Sequence, residues 1–83
     1  MNPRKTLQLI LQGSRNIRFA DFVGLVQAFG FRLARTRGSH HIFARRGIPE
    51  LVNLQNVAGQ AKPYQVDQFL KLVEQHGLTL QDR

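Results

Sequence analysis

The sequence predicts an α+β fold: a small three-stranded antiparallel sheet with two helices on one face, preceded by a short N-terminal helix. Three observations predict it. Apolar residues recur at helical spacing in three separate stretches. Between the second and third stretches, residues 31–55 fall into short alternating runs cut by glycine-containing turns. With 83 residues, 42% of them hydrophobic, the chain can bury one modest core and not two.

Leu7, Ile10 and Leu11 stand at i, i+3 and i+4, so residues 3–12 form a short amphipathic helix with Pro3 in its first turn. Gly13 to Asn16 is a loop. Phe19, Phe22, Val23, Val26 and Phe29 make one continuous apolar stripe and predict a helix over 18–29. Gly30 ends that helix as a left-handed residue. Gly24 interrupts it at a cost of about 1 kcal/mol relative to Ala, and would suit a close approach by another backbone.

Phe31 to Thr36 alternates, with Phe31 and Leu33 on one face and Arg32 on the other, and reads as the first strand. Arg37-Gly38-Ser39 is a turn, and His40 to Arg45 the second strand, antiparallel to the first. Arg46-Gly47-Ile48-Pro49 turns the chain into a third strand, Glu50 to Gln55, with Val52 and Leu54 on one face. Asn56 to Lys62 is polar and contains glycine, so it reads as a loop. Pro63 opens the last helix, Val66, Phe69, Leu70 and Val73 form its stripe, and Gly77 stops it. Nothing in the sequence covers the second face of the sheet, which is left to bind a partner.

Charge narrows the choice of partner. The net charge is +7 and it is polarised. Residues 1–46 hold nine of the twelve Lys and Arg and one acid, a net +8; residues 47–83 hold three cations against four acids, a net −1. Such a surface attracts polyanions, either nucleic acid or an acidic protein. The absence of cysteine excludes a disulfide framework, a thiolate nucleophile and a Cys zinc site, and fits a cytoplasmic location. No apolar run approaches the roughly 20 residues of a membrane span. The basic start MNPRKTLQLILQG is interrupted by Gln8 and Gln12 and is not expected to be a signal peptide.

His40 and His41 are adjacent on a strand and must point to opposite faces, so they cannot converge on one metal ion. With His76 far along the chain and few acids, no metal-ligand spacing is recognisable, and neither a metal nor another cofactor is expected. Ser39 directly precedes His40, which is poor geometry for a serine–histidine relay. A histidine among arginines has another use: it moves a proton while the cations hold a phosphate. In RNA the 2′-hydroxyl is an internal nucleophile, so an enzyme need only remove its proton. The alternative is structural, with His40 capping a turn and His41 packing in the core.

Candidate phosphate ligands are Arg35 and Arg37 before the hairpin turn, Ser39 and His41 beside His40, and Arg45 and Arg46 at the end of the same strand. Lys62, before Pro63 and Tyr64, could place a cation at a helix N-terminus, although helix initiation explains the same residues. Asn53, Gln55 and Asn56 could read single-stranded bases, or serve as strand-end and turn residues.

The string Gly38-Ser39-His40-His41-Ile42-Phe43, after a helix ending Phe29-Gly30-Phe31, resembles the HicA toxin family, the YcfA-like mRNA interferases of toxin–antitoxin modules. The resemblance covers roughly residues 18–78, with 1–17 as an N-terminal extension to the single domain 18–83. It implies a double-stranded-RNA-binding-domain-like α-β-β-β-α fold and metal-independent cleavage of mRNA, an endonuclease activity used in stress responses. By the same resemblance His40 is the catalytic residue, and a HicB-type antitoxin, expected to be acidic, covers the site. The branch is divergent. Where many members carry a proline-histidine near the third strand and Gly-Thr-Leu opening the last helix, this chain reads Leu54-Gln55-Asn56-Val57 and Lys62-Pro63-Tyr64-Gln65-Val66. Two further functions fit the residues: a non-catalytic RNA-binding module that grips phosphates by shape, and an interaction domain for an acidic protein.

Overall fold

The computed structural model describes residues 1–81 and is α+β, with three helices and a four-stranded antiparallel sheet. Helix α1 (Pro3–Leu11) starts at Asn2, whose side chain accepts a hydrogen bond from the Lys5 N–H, and at Pro3, whose missing donor costs nothing there. Helix α2 (Phe19–Ala28) is followed by Gly30 at φ +91°. Helix α3 (Pro63–His76) ends at Gly77, which is left-handed. All three helices sit within a residue or two of the spans their apolar stripes predict.

The sheet is larger than predicted. Strands β1 (Arg32–Arg37), β2 (His40–Arg45), β3 (Ile48–Val57) and β4 (Gln60–Ala61) lie in the order β1-β2-β3-β4. The third strand runs on past Gln55, and the segment expected to be a loop folds back on it as a two-residue fourth strand. The turn between them, Ala58-Gly59, has both residues at positive φ, and the Asn56 side chain accepts the Gly59 N–H. The outer edge of β4 is also occupied. Phe19 N–H donates to the Gly59 carbonyl and Ala61 N–H to that of Ile17, both at 2.9 Å.

Two irregularities set the register. Ala34 is an extra residue in β1: Leu33 faces Phe43 and Arg35 faces Ile42. Between the pairs Phe43–Val52 and Arg45–Ile48, β3 carries three residues, Pro49, Glu50 and Leu51, against Ala44 alone. Pro49 has no N–H to give the ladder, which is why a strand containing it bulges there.

The core lies on one side of the sheet. Val52 and Leu54 of β3 and Phe43 of β2 are buried under α2 and α3, while Leu51 and Asn53 are exposed on the other side. Phe69 of α3 is the centre of this core, with the rings of Phe22, Phe29 and Phe31 edge-on around it at 5.5–5.7 Å. Ile10 and Ile17 belong to the same cluster, so α1 and the loop after it share one core with the sheet. Arg15 fastens that loop: its guanidinium pairs with Asp67 of α3 at 2.8 Å and donates to the Ile10 carbonyl. Gly24 admits no close neighbour; a Cβ there would meet nothing within 4 Å, so the expectation of a tight backbone approach is wrong.

Candidate functional site

The two-residue turn Gly38-Ser39 fixes the hairpin so that Arg37 stands directly opposite His40 and Arg35 opposite Ile42. On the other flank of β2, His40 faces Gln55 and Ile42 faces Asn53. Paired residues share a face, so Arg35, Arg37, His40, Ile42, Asn53 and Gln55 all lie on the side of the sheet that, among the described residues, no helix covers. The Ala34 bulge adds Arg32 to this row. Arg32 faces Ala44, which alternation places on the side of His40, whereas in a strand that kept Ala34 without bulging Arg32 and Arg35, three residues apart, would point to opposite faces.

His40 is held within this surface. Its Nδ1 is 3.1 Å from the Asn53 side-chain oxygen. An amide oxygen can only accept, so Nδ1 donates in this contact, and whenever the ring is neutral Nε2 is the nitrogen with a lone pair to take a proton. Gln55, opposite His40, is fixed from two directions: its side-chain amide reaches the Ser39 hydroxyl at 3.4 Å, and its backbone N–H donates to Gln65 Oε1 at 2.8 Å. Gln65 is buried at the start of α3, so the helix braces the part of β3 that lies under His40. Ser39 is tied down as well, its carbonyl accepting the Asn56 N–H at 3.0 Å.

The other predicted site residues do not all gather here. Odd-numbered positions of β2 face the helices. His41 packs its ring 4.9 Å from that of Phe19 and has Nδ1 3.2 Å from the Ser39 carbonyl, so it does not share a face with His40. Arg45 also turns to the helix side, where its Nη1 donates to the Phe29 carbonyl at 2.9 Å and satisfies an end-of-helix acceptor. Arg46 is in the turn at the far end of β2, roughly 16 Å or more from His40 at the ordinary strand rise. Lys62 precedes α3 with its ammonium 5.4 Å from the Tyr64 ring centroid. What the structure brings to the neighbourhood of His40 is therefore Arg35, Arg37 and Ser39, together with Asn53 and Gln55, while Arg32 lies on the same face at the far end of the hairpin, opposite Ala44.

Arg32 was not among the predicted ligands, and Asn53 and Gln55 were given no link to His40. Alternation could have placed both, since Val52 and Leu54 inward means Asn53 and Gln55 outward. Among the described residues, no group of three His, Cys, Asp or Glu converges in a way that could hold a metal ion, and no helix is long and apolar enough to cross a membrane. Comparison with family models, with curated proteins and with solved structures finds no match to this chain.

Proposed function

We propose that this chain is a metal-independent endoribonuclease that cleaves mRNA, the toxin of a toxin–antitoxin pair, with His40 as its general base. The observation that supports it most directly is the pairing of His40 with Asn53 on an open sheet face, opposite an arginine. The helix–three-strand–helix order within residues 19–76 is compatible with a double-stranded-RNA-binding-domain-like fold, to which α1 and β4 are additions.

In this reading Arg37 and Arg35 hold backbone phosphates, and the ribose 2′-hydroxyl lies against Nε2 of His40. The 2′-oxygen gives its proton to Nε2 and attacks the adjacent phosphorus. The bond from phosphorus to the 5′-oxygen breaks, leaving a 2′,3′-cyclic phosphate, and the departing 5′-oxygen takes a proton from water. His40 then returns its own proton to solvent. Asn53 contributes by keeping the ring in the tautomer that can accept, and the arginines by neutralising charge that grows on the phosphate.

The test uses purified wild type and His40→Ala with a labelled RNA in the presence of EDTA. Wild type is expected to cleave RNA, to spare a substrate methylated on its 2′-oxygens, and to leave cyclic phosphate ends. His40→Ala should keep its circular dichroism and lose activity by about 10²–10⁴-fold. A folded His40→Ala variant that still cleaves would overturn the assignment. Tight RNA binding by a wild type that cleaves nothing would identify a non-catalytic RNA-binding module instead.

A further inference from the structure

We infer that the open edge of β1 is a docking site for an extended acidic segment of a partner protein, which joins the sheet as a further strand alongside Arg32–Arg37. The two edges of the sheet are treated differently. The β4 edge is closed by the chain itself, through the hydrogen bonds of Ile17 and Phe19 and the bridge between Arg18 and Gln60. Beyond β1, no described residue pairs with the strand, and all six of its residues are exposed. A strand paired on one side leaves alternate N–H and C=O groups pointing outward, here along roughly 20 Å of backbone. Those groups are the recognition element for another peptide strand.

Charge decides which strand. Arg32, Arg35 and Arg37 share the open face, and among the described residues none has a carboxylate within salt-bridge distance. A second copy pairing edge to edge would set this row of cations against its own duplicate, and like charges across neighbouring strands repel. An acidic strand reverses the sign at every one of those positions. Leu33, which faces Phe43 and is 48% exposed, adds a requirement on the opposite side of the incoming strand. The matching segment alternates carboxylates, which meet the arginines, with apolar or β-branched residues, one of which covers Leu33. RNA can satisfy the arginines but offers no strand of amides to the edge, so the unpaired backbone favours a protein.

The docking does not depend on the ribonuclease reading. If that reading also holds, the docked carboxylates would occupy Arg35 and Arg37 beside His40, and the partner would compete with substrate phosphate.

The probe is a blocked peptide, Glu-Val-Glu-Thr-Glu-Val-Glu, added to the full chain. Two further peptides of the same sequence carry N-methyl groups on either the Glu or the Val and Thr positions. The expected result is slowed hydrogen exchange at outward amides of Arg32–Arg37, with affinity lost by roughly tenfold or more in at least one methylated peptide, since methylation removes donors and leaves charge intact. Equal affinity for all three peptides, or protection confined to other elements, would overturn the proposal. So would a short RNA that protects the same amides when the parent peptide does not.

Discussion

His40 and Asn53 are hydrogen-bonded across β2 and β3 although they are not opposite each other; Gln55 is the residue facing His40. Asn53 reaches His40 on the diagonal. If its oxygen holds the ring in the accepting tautomer, Asn53→Ala should lower kcat of RNA cleavage by about tenfold or more and leave KM nearly unchanged. Asn53→Asp, which keeps an acceptor, should restore part of the rate. Ring nitrogen chemical shifts supply the readout that a merely structural role would not move: wild type should show the proton on Nδ1, and Asn53→Ala a mixture of tautomers.

The arginines should separate by position. Arg37 is paired with His40, whereas Arg46 lies at the other end of the strand. For single-stranded RNA, each phosphate contact contributes about −0.7 to the slope of log affinity against log salt. Arg37→Ala should flatten that slope by about one contact and slow cleavage; Arg46→Ala should do neither. Fluorescence anisotropy across a salt series measures both. Equal effects from the two variants would mean that RNA follows the whole strand and is not centred on His40.

Acid should weaken the contact between α3 and β3. A hydrogen bond to its own backbone and the His76 ring at 2.9 Å hold the Glu50 carboxyl below its ordinary value of 4.5. A carboxyl whose pKa is lowered on folding stabilises the fold above its unfolded pKa, and that stabilisation is lost as pH falls through the folded value. The stability difference between wild type and Glu50→Gln should therefore be present near neutrality and shrink as pH drops below about 4.5. Urea unfolding at stepped pH measures it, and a difference that persists at acid pH would contradict the pairing. Glu50 is well exposed, so the effect is expected to be small.

Gly24 offers a stabilising change. It sits inside α2 with open space where a methyl group would go. Gly24→Ala should raise stability by about 0.5–1 kcal/mol, mostly by restricting the unfolded chain. Urea midpoints of the two proteins give the comparison. A loss of stability would show that the face of α2 around Gly24 is more crowded than its surroundings indicate.

The helices were legible because local apolar spacing defines them, as in Phe19, Phe22 and Val26, and because Pro3, Pro63 and Gly77 mark their ends. The opposed faces of His40 and His41 followed from alternation alone. Strand β4 was not legible. Its two residues carry no periodic signal, and they are strand because Asn56, Val57 and Arg18 pair with them across the fold. Register was hidden for a similar reason. A two-residue turn at Arg46-Gly47 would by itself put Asn53 opposite His40, and the bulge around Pro49 shifts the pairing to Gln55. Arg45 looked like one of a cluster of phosphate ligands, and only the position of Phe29 reveals its carbonyl acceptor.

The two bulges differ in parity. The one in β3 inserts an even excess, two residues over β2, so every side chain beyond it returns to the face it would have had. The one at Ala34 is odd, and everything after it is inverted. A deletion that takes out only the bulged residues should therefore leave the faces of both strands as they are. Losing two of the three residues Pro49 to Leu51 would remove the bulge, keep Val52 opposite Phe43 and Gln55 opposite His40, and leave the inner and outer surfaces as they are. Losing Ala34 would straighten β1 into plain alternation, with Arg32, Arg35 and Arg37 still in one row opposite Ala44, Ile42 and His40.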